Sequence, residues 1–183
     1  MSRFIRSNPA FSDSTAPTLN APAILTVPDA RLRRVARPVA DFDDTLRERL
    51  RALEAAMQAG PGGVGIAAPQ LGMNDRLVVV DCTRARRPCR NHGRLWLVNP
   101  EIVWHSGERA LGREGCLSVP DWVGMVWRSR RVRLRYHDAD GQAHELEASG
   151  FEARVIQHEV DHLDGILFTD RVVSTHDLVR RMG

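Results

Sequence analysis

Apolar residues in the first third of the chain recur with the period of an amphipathic helix. They lie three or four positions apart, which places them on one stripe of a helix surface: Leu46, Leu50, Leu53 and Met57. Thr45 and Glu48 have the spacing of a capping box, and Gly60 follows the last apolar position. The pattern therefore predicts a helix that begins at Asp44 and ends before Gly60.

Short runs of β-branched and aliphatic residues predict strands over residues 77–80, 95–98 and 132–136. In the third run the apolar residues alternate with arginines, as in a strand with one buried and one exposed face. Asp140 and Gly141 form a turn signal between this run and residues 143–148, and we expect the two segments to form a hairpin.

A second helix is predicted near the C-terminus. Its apolar and histidine residues recur at spacings of four, three and four along one stripe: Phe151, Val155, His158 and His162. Gly165 is placed to cap its end, and the two histidines are expected to continue a buried face. Strands followed by a ligand-bearing helix predict an α+β fold, with antiparallel or mixed sheets packed around that helix.

The chain is long enough for one domain with its own core, at 183 residues. Residues 1–21 are rich in Ser, Pro, Asn and Ala and are predicted to be a flexible N-terminal tail. We expect a catalytic domain over residues 22–175 and a short C-terminal tail over residues 176–183. Since no apolar run approaches the length of a membrane span, we expect a cytoplasmic protein without a membrane partner; the N-terminal extension leaves organellar import open.

The stretch Gln157-His158-Glu159-Val160-Asp161-His162 carries the strongest chemical signal. His158 and His162 are four residues apart, so on a helix they share a face and can hold one metal ion. Glu159 lies beside them, where a carboxylate can accept the proton of an attacking water. A surface helix that happens to carry two histidines is the alternative, but the apolar stripe that precedes them argues against it.

Two histidines alone do not hold a catalytic metal ion, so a third ligand is needed. Phe168 stands where one class of zinc peptidases has its third histidine, and no glutamate follows Glu159. Cys116, in Glu114-Gly115-Cys116-Leu117-Ser118, is the better candidate, because its thiolate completes a Cys-His-His set with one open position. The candidates further downstream have no familiar context: Asp164, Asp170, His176 and Asp177.

The other cysteines provide a rival interpretation. Three cysteines give no even set for disulfides, and nothing indicates a secreted scaffold. Cys82 and Cys89, with His92, form a possible ligand cluster in an arginine-rich loop, but we interpret them as structural. Taken alone, Cys116 would fit a small buried apolar residue, so its role depends on the histidine helix.

The segment Gly63-Val64-Gly65-Ile66-Ala67-Ala68-Pro69-Gln70 is a third motif. It is not a P-loop, since no Gly-Lys-Ser/Thr follows, and it is not a dinucleotide fingerprint, since no third glycine opens a helix. Its small residues would let a substrate backbone lie close, and Gln70 offers a neutral amide donor. A turn that leads into a buried strand is the alternative.

These three motifs, in this order and at these separations, resemble the peptide deformylases. The family signatures GxGxAAxQ, EGCLS and QHExDH are intact at residues 63–70, 114–118 and 157–162, and the resemblance extends from about Ala23 to about Arg171. It implies a metal-dependent hydrolase that removes the formyl group from the N-terminal formyl-methionine of nascent polypeptides. N-formylmethionyl nascent peptides would then be the substrate.

The resemblance also implies residue roles. The matching positions make Cys116, His158 and His162 the metal ligands and Glu159 the general base and acid. Gln70 and the backbone N–H of Leu117 correspond to the oxyanion donors, and the strand that pairs with the substrate backbone corresponds to Gly63, Val64 and Gly65. The family generally works with Fe²⁺ and often accepts Zn²⁺, Ni²⁺ or Co²⁺; the ligands themselves would suit zinc equally.

Four positions outside these signatures bear on the comparison with the family. Val123 occupies the place, seven residues after the metal cysteine, where many deformylases have an arginine, and Trp127 replaces a common proline. Arg128 matches the family, and we expect it to pair with Glu114. Arg154 lies one turn before His158, where some members have an aliphatic residue near the methionine pocket.

Charge adds little to this picture, because the formal net charge is only +3. Arginine clusters at residues 84–94 and 128–135 are candidates for ribosomal RNA contact, although solvated strand and loop faces are the more ordinary interpretation. No DNA partner is expected. Two other functions stay open: a metal-binding module that has lost its activity, and a metallopeptidase with ordinary peptide substrates.

Overall fold

A computed structural model describes residues 23–181, so the predicted tail over residues 1–21 lies outside the described residues. The helices of this part are α1 (Asp44–Ala59) and α2 (Gly150–Leu163). Its strands are β1 (Gly65–Ala67), β2 (Leu77–Asp81), β3 (Arg94–His105), β4 (Arg109–Cys116), β5 (Val119–Ser129), β6 (Arg131–His137), β7 (Ala143–Ser149) and β8 (Val179–Arg180).

The strands form two antiparallel sheets. Five strands pair in the order β1-β2-β3-β6-β7, and three pair in the order β4-β5-β8. Both β1 and β4 are therefore edge strands. Helix α2 packs against the larger sheet and also contacts β5. The predicted α+β fold, with antiparallel sheets around the ligand-bearing helix, is confirmed.

The larger sheet is covered on both faces, and β2 shows why its sequence is apolar throughout. Val78 and Val80 pack into the core beside α2, with Ile156 and Val160 of that helix. The intervening residues of β2 face α1 and its predicted stripe: Leu77 and Val79 against Leu46, Leu50, Leu53 and Met57. Successive side chains of a strand point to opposite faces, so a strand covered on both sides needs apolar residues at every position.

Helix α1 has the predicted bounds, but its N-terminal cap differs from the prediction. Its N-cap is Asp43, whose carboxylate accepts a hydrogen bond from the Leu46 N–H at 2.9 Å. Asp43 has an extended backbone, as an N-cap requires, whereas Thr45 is already inside the helix. The predicted capping box of Thr45 and Glu48 is therefore wrong. Gly60 ends the helix as predicted.

Helix α2 buries both histidines, but its predicted stripe is wrong at one position. Val155, His158 and His162 are buried, whereas Phe151 in the first turn is 41% exposed. Gly165 follows the helix with a left-handed backbone, at a φ of 71°, and its N–H donates to the carbonyl of His162. No helix of the described ranges has the length and apolar character needed to cross a membrane.

The remaining predicted strands and the hairpin of β6 and β7 are confirmed, with Gly141 in the left-handed region at the turn. The strand that the family resemblance implies at Gly63, Val64 and Gly65 is shifted, since β1 runs from Gly65 to Ala67. Sequence reasoning missed β4, β5 and β8. Strand β8 pairs with Trp122 and Val123 of β5, so part of the stretch predicted as a C-terminal tail joins the smaller sheet. The division of the chain at residue 175 stays a prediction.

We expect Gly165→Ala to destabilise the fold more than Gly93→Ala does. Both glycines have a positive φ, so each substitution should cost about 1 kcal/mol of unfolding free energy in backbone strain. A Cβ at Gly165 would in addition lie 2.5 Å from the Arg33 carbonyl oxygen, whereas nothing lies within 4 Å of one at Gly93. That contact should add about 1–3 kcal/mol. Urea unfolding of both variants measures the difference, and equal losses would show that the contact relaxes freely.

Candidate metal centre and substrate pocket

The three predicted ligands come together between the two sheets. Cys116 is the last residue of β4, and His158 and His162 lie one turn apart on α2. One donor atom from each residue lies within 4.8 Å of the others, and the Cys116 Sγ is 3.2 Å from His162 Nε2. All three side chains are buried. Among the described residues, no other group of three possible donors is arranged in this way.

Glu114 fixes the orientation of the first histidine. Its Oε2 lies 2.9 Å from His158 Nδ1, so the other ring nitrogen of His158 faces the centre. Arg128 binds both oxygens of this carboxylate at 3.0 Å, and Arg154 Nη1 donates to Oε1 at 2.7 Å. Burial raises the pKa of Glu114, but His158 and Arg128 outweigh it and lower the pKa to about 2. The expected pairing of Arg128 with Glu114 is confirmed.

Cys116 lies where its thiolate form is favoured. Burial alone raises the pKa of a thiol, but the His162 and His158 imidazoles hold the pKa of Cys116 well below its usual value. The Ser118 N–H lies 3.4 Å from its sulfur. A thiolate and two imidazoles are the donor types that bind divalent transition metals.

These residues fit one metal ion. Donors bound at about 2.0–2.3 Å in a tetrahedral arrangement are roughly 3.5 Å apart, which is compatible with the observed spacing of sulfur and nitrogen atoms. Three protein ligands leave a fourth position for a water or a substrate, which is typical of catalytic rather than structural sites. Cys116, His158 and His162 therefore form a metal site of the catalytic type.

Glu159 is buried against this centre. Its Oε2 has no hydrogen-bond partner among the described residues, and burial raises the pKa of Glu159 to about 7. The carboxylate lies against the backbone of Gly65, where a Cβ would be 2.5 Å from Oε1. A glycine at position 65 is thus what allows a carboxylate to approach β1 so closely, and the unpaired oxygen is available to a water.

Gln70 has a fixed amide orientation. Its Oε1 accepts a hydrogen bond from the Ala67 N–H at 2.9 Å, which only an oxygen can do. The Nε2 therefore faces the centre, 3.6 Å from Cys116 Sγ and 3.0 Å from Ser118 Oγ. Leu117 lies in the turn after β4, and among the described residues its backbone N–H donates to no other group.

The metal centre opens into a pocket with two walls. Residues 61–65, which lead into β1, form one wall, and residues 113–117 at the end of β4 form the other. Residues of α2 from Phe151 to Glu159 form the floor. The pocket is thus a groove between two edge strands, and Cys116, His158 and Glu159 are among its lining residues. Gly63, Val64 and Gly65, which were predicted to contact the substrate, all line it.

Sequence reasoning missed two polar residues of α2 that hold the helix in place. The Gln157 amide bonds both backbone groups of Ser129 in β5, at 3.1 and 2.9 Å. The Asp161 carboxylate binds both Arg128 and Arg171. These residues belong to the same six-residue motif as the two histidine ligands, but nothing in the motif identifies partners that are distant in sequence.

Arg154 does not place a free charge in the pocket. Its guanidinium donates to Glu114 and to the backbone oxygens of Ala110 and Val126, at 2.7 to 3.0 Å. Arg154 therefore lines the pocket with its charge bonded to neighbouring oxygen atoms. Gly112 makes room for this arrangement, because a Cβ there would be 2.7 Å from the guanidinium carbon.

The rival cysteine cluster does not form a comparable site. His92 binds Glu152 through Nδ1 at 2.7 Å, and its backbone N–H binds the same carboxylate. Cys82 is buried, which raises its pKa, and Cys89 contacts the Cys82 carbonyl oxygen. Both thiols are free. The structural interpretation of these residues agrees with these contacts.

A buried thiolate and two imidazoles, with a carboxylate beside them at the base of a groove, define a metal-dependent hydrolase. The sequence matches the Polypeptide deformylase family over residues 21–177. A peptide deformylase from Methylocella silvestris is 42% identical over 149 residues, which cover 81% of this chain and 76% of the relative. One from Alkalilimnicola ehrlichii is 46% identical, covering 80% and 79%.

Solved structures agree with this match. A class I type b peptide deformylase from Acinetobacter baumannii, in complex with Met-Ala-Ser, has a TM-score of 0.75 and 38% identity over 81% of this chain and 96% of that one. The Thermotoga maritima peptide deformylase has a TM-score of 0.75 and 36% identity, covering 82% and 97%. The chain therefore belongs to the peptide deformylase family, whose members are metal-dependent hydrolases that remove the N-formyl group of nascent peptides.

We expect Cys116→Ala to lose tight metal binding, because two neutral imidazoles lack the charge that offsets a divalent ion. Cys89→Ala is the matched control, since Cys89 lies outside the ligand set and should leave metal content unchanged. Elemental analysis of both purified variants measures the outcome. A full equivalent of metal in Cys116→Ala would mean that the third ligand is elsewhere.

Proposed function

We propose that this chain removes the formyl group from N-formylmethionyl peptides, with Cys116, His158 and His162 as metal ligands and Glu159 as proton carrier. One observation carries the proposal. The buried Glu159, with an oxygen unpaired among the described residues, lies beside a three-donor metal site at the base of a groove between two sheet edges.

The resident ion is Fe²⁺ in this proposal, with Zn²⁺, Ni²⁺ or Co²⁺ as replacements. One sulfur and two nitrogen donors suit all four ions, so the choice of iron follows the family resemblance. When bound, a divalent ion lowers the pKa of a water molecule towards ~7 and polarises a carbonyl oxygen. The thiolate of Cys116 contributes the negative charge that keeps the ion in place.

Gly63, Val64 and Gly65 hold the peptide in an extended conformation. Strand β1 is an edge strand, so one side of its backbone is open to pairing with an added strand. Main-chain pairing of this kind is insensitive to side-chain identity, as an enzyme that acts on many nascent chains requires. A related deformylase has been crystallised with Met-Ala-Ser, a peptide of the size that this groove would hold.

The first side chain of the peptide enters the apolar part of the pocket. Val64, Phe151, Val155 and Arg154 line this region. Both terminal nitrogens of the Arg154 guanidinium donate to carboxylate or carbonyl oxygens, so the charge does not oppose an apolar side chain such as methionine. The exposure of Phe151 is consistent with a surface that a substrate covers.

Gln70 and the Leu117 N–H stabilise the charge that develops on the formyl oxygen. The Gln70 amide is held with its N–H groups towards the Cys116 sulfur, and Leu117 directly follows Cys116 in the chain. Because both are fixed before the substrate binds, no reorganisation is needed when negative charge forms. One such donor is typically worth ~3 kcal/mol of activation free energy.

Glu159 accepts the proton of the attacking water and returns it to the departing amine. A pKa of about 7 lets the group work in both directions near neutral pH. The positive charge of a bound ion would lower this pKa and favour the carboxylate that the first step requires. The amine would otherwise leave slowly, since an amide nitrogen is a poor leaving group without a proton.

Contact with the ribosome through the arginines of residues 128–135 stays a prediction. Glu145 and Glu147 of β7 lie within ion-pair distance of Arg131, Arg133 and Arg135, so the two glutamates offset part of this positive charge. Contact with the ribosome through residues 84–94 stays a prediction. A cytoplasmic location is part of the proposal, because nascent chains carry their formyl group where they are synthesised.

We expect Gln70→Ala to keep its fold and metal but to turn over a formyl-Met peptide about a hundredfold more slowly, the usual effect of one lost oxyanion donor. Gln58→Ala, on the exposed side of α1, is the control and should keep the wild-type rate. Steady-state kinetics with matched metal loading compare the two. A wild-type kcat in Gln70→Ala would remove this amide from the mechanism.

Glu159→Gln should separate metal binding from proton transfer. The three ligands are unchanged, so we expect one equivalent of metal, but the amide cannot accept or return a proton. Turnover should fall by ~10² to 10⁴. Metal content and activity are measured on one preparation. An active, metal-loaded variant would contradict the role of Glu159, and an inactive, metal-free one would make Glu159 a structural residue.

A further inference from the structure

Two arginines lie at the rim of the pocket, on the side of β4. Arg113 is on the exposed face of this strand, two residues before Gly115, and Arg181 follows β8. Both line the pocket that contains Cys116 and Glu159. Within residues 23–181, neither guanidinium forms an ion pair or a side-chain hydrogen bond with another residue. Two cationic groups are thus available to a molecule in the groove.

Backbone pairing fixes the position of Arg181. Strand β8 pairs with β5, and the Arg181 N–H then donates to the Asp121 carbonyl oxygen at 2.7 Å. Its guanidinium lies directly over Gly115, because a Cβ added to Gly115 would be 2.8 Å from Arg181 Nη2. Gly115 is the residue before the ligand Cys116. The C-terminal segment therefore carries a positive charge to the wall of the metal pocket.

The neighbouring strand provides no such charge of its own. Position 123 is a buried valine, and Val123 pairs with Val179 of β8. A Cβ at Gly115 would also lie 3.2 Å from the Val123 side chain, so Val123 and Arg181 contact the same wall. The positive charge beside Gly115 therefore comes from Arg181, which follows β8, and not from β5.

We propose that Arg113 and Arg181 form a cationic rim that binds an acidic side chain at the second or third residue of the peptide. The inference rests on the proposed function, because it assumes that the first residue is held at the metal centre. An extended peptide advances about 3.3 Å per residue. A peptide whose first residue lies beside Cys116 and Glu159 therefore reaches Gly115 and Arg113 within its next two residues. Peptides with an early Asp or Glu should bind best.

The test compares the deformylated peptides Met-Ala-Glu-amide and Met-Ala-Gln-amide, and the same pair with the acid or amide at the second position. Affinities for the metal-loaded protein are measured by titration calorimetry at low ionic strength, so the readout needs no turnover. We expect the glutamate form to bind about fivefold more tightly in at least one pair. The preference should vanish in about 1 M salt, where the screening length is about 3 Å.

Arg181→Gln and Arg113→Gln should each reduce this preference. Arg180→Gln is the matched control: it removes the same charge one residue away, and Arg180 does not line the pocket. Equal affinities of the wild-type protein for glutamate and glutamine peptides would overturn the proposal. An equal loss of the glutamate preference in Arg180→Gln would also overturn the proposal, since it would mean that only the overall charge of the protein matters.

Two further peptides show whether the rim binds acidic side chains and whether it depends on deformylation. Met-Ala-Gln with a free C-terminal carboxylate is tested beside its amide. If the affinity increases only with the free carboxylate, and not with a glutamate side chain, the assignment to acidic side chains is overturned. Formyl-Met-Ala-Gln-amide is tested as a substrate of the same preparation. If it is not hydrolysed while the glutamate preference persists and is lost in Arg181→Gln, the rim is supported and the proposed deformylation is contradicted.

Discussion

The buried carboxylate of Glu114 joins the three parts of the molecule that make the metal centre. It lies on β4, two residues before the ligand Cys116, and binds Arg128 of β5, Arg154 of α2 and the ligand His158. A buried carboxylate is stable only when positive or donor groups surround it, and here those groups belong to separate elements. The contacts that neutralise Glu114 therefore hold β4, which carries Cys116, next to α2, which carries His158 and His162.

The same helix is anchored by polar contacts on its other sides. Gln157 binds the backbone of β5, and Asp161 binds Arg128 and Arg171. Apolar packing of Ile156 and Val160 against the larger sheet is not directional, so it would tolerate small rotations of the helix. Hydrogen bonds depend on distance and angle, so they do not tolerate such rotations. A metal site needs this restraint, because its donor atoms must lie within a fraction of an ångström of their required positions. The polar residues beside the ligands thus provide accuracy, while the apolar residues provide stability.

Much of this site could be predicted from local patterns, and the exceptions have physical causes. The ligands were found because His158 and His162 share a helix face and Cys116 lies in a recognisable motif. The exposure of Phe151 was missed, because helix periodicity gives a face but not where the neighbouring sheet ends. The cap was misplaced by two residues, since Asp43 and Thr45 are both good N-caps and only the backbone conformation distinguishes them. Strands β4 and β5 were harder still, because glycines and charged residues interrupt their apolar pattern. In β4 the buried positions belong to a carboxylate and a thiol, whose partners are distant in sequence.

The groove between the edges of β1 and β4 also has a consequence for the work of the enzyme in a cell. A groove that binds a polypeptide through its main chain has nearly the same affinity for all sequences, so one enzyme can process many different nascent chains. Specificity for particular substrates would then depend only on the few side chains nearest the N-terminus of the peptide. If the peptide pairs with β1 as proposed, the breadth of the substrate range is a property of an open sheet edge rather than of any one residue.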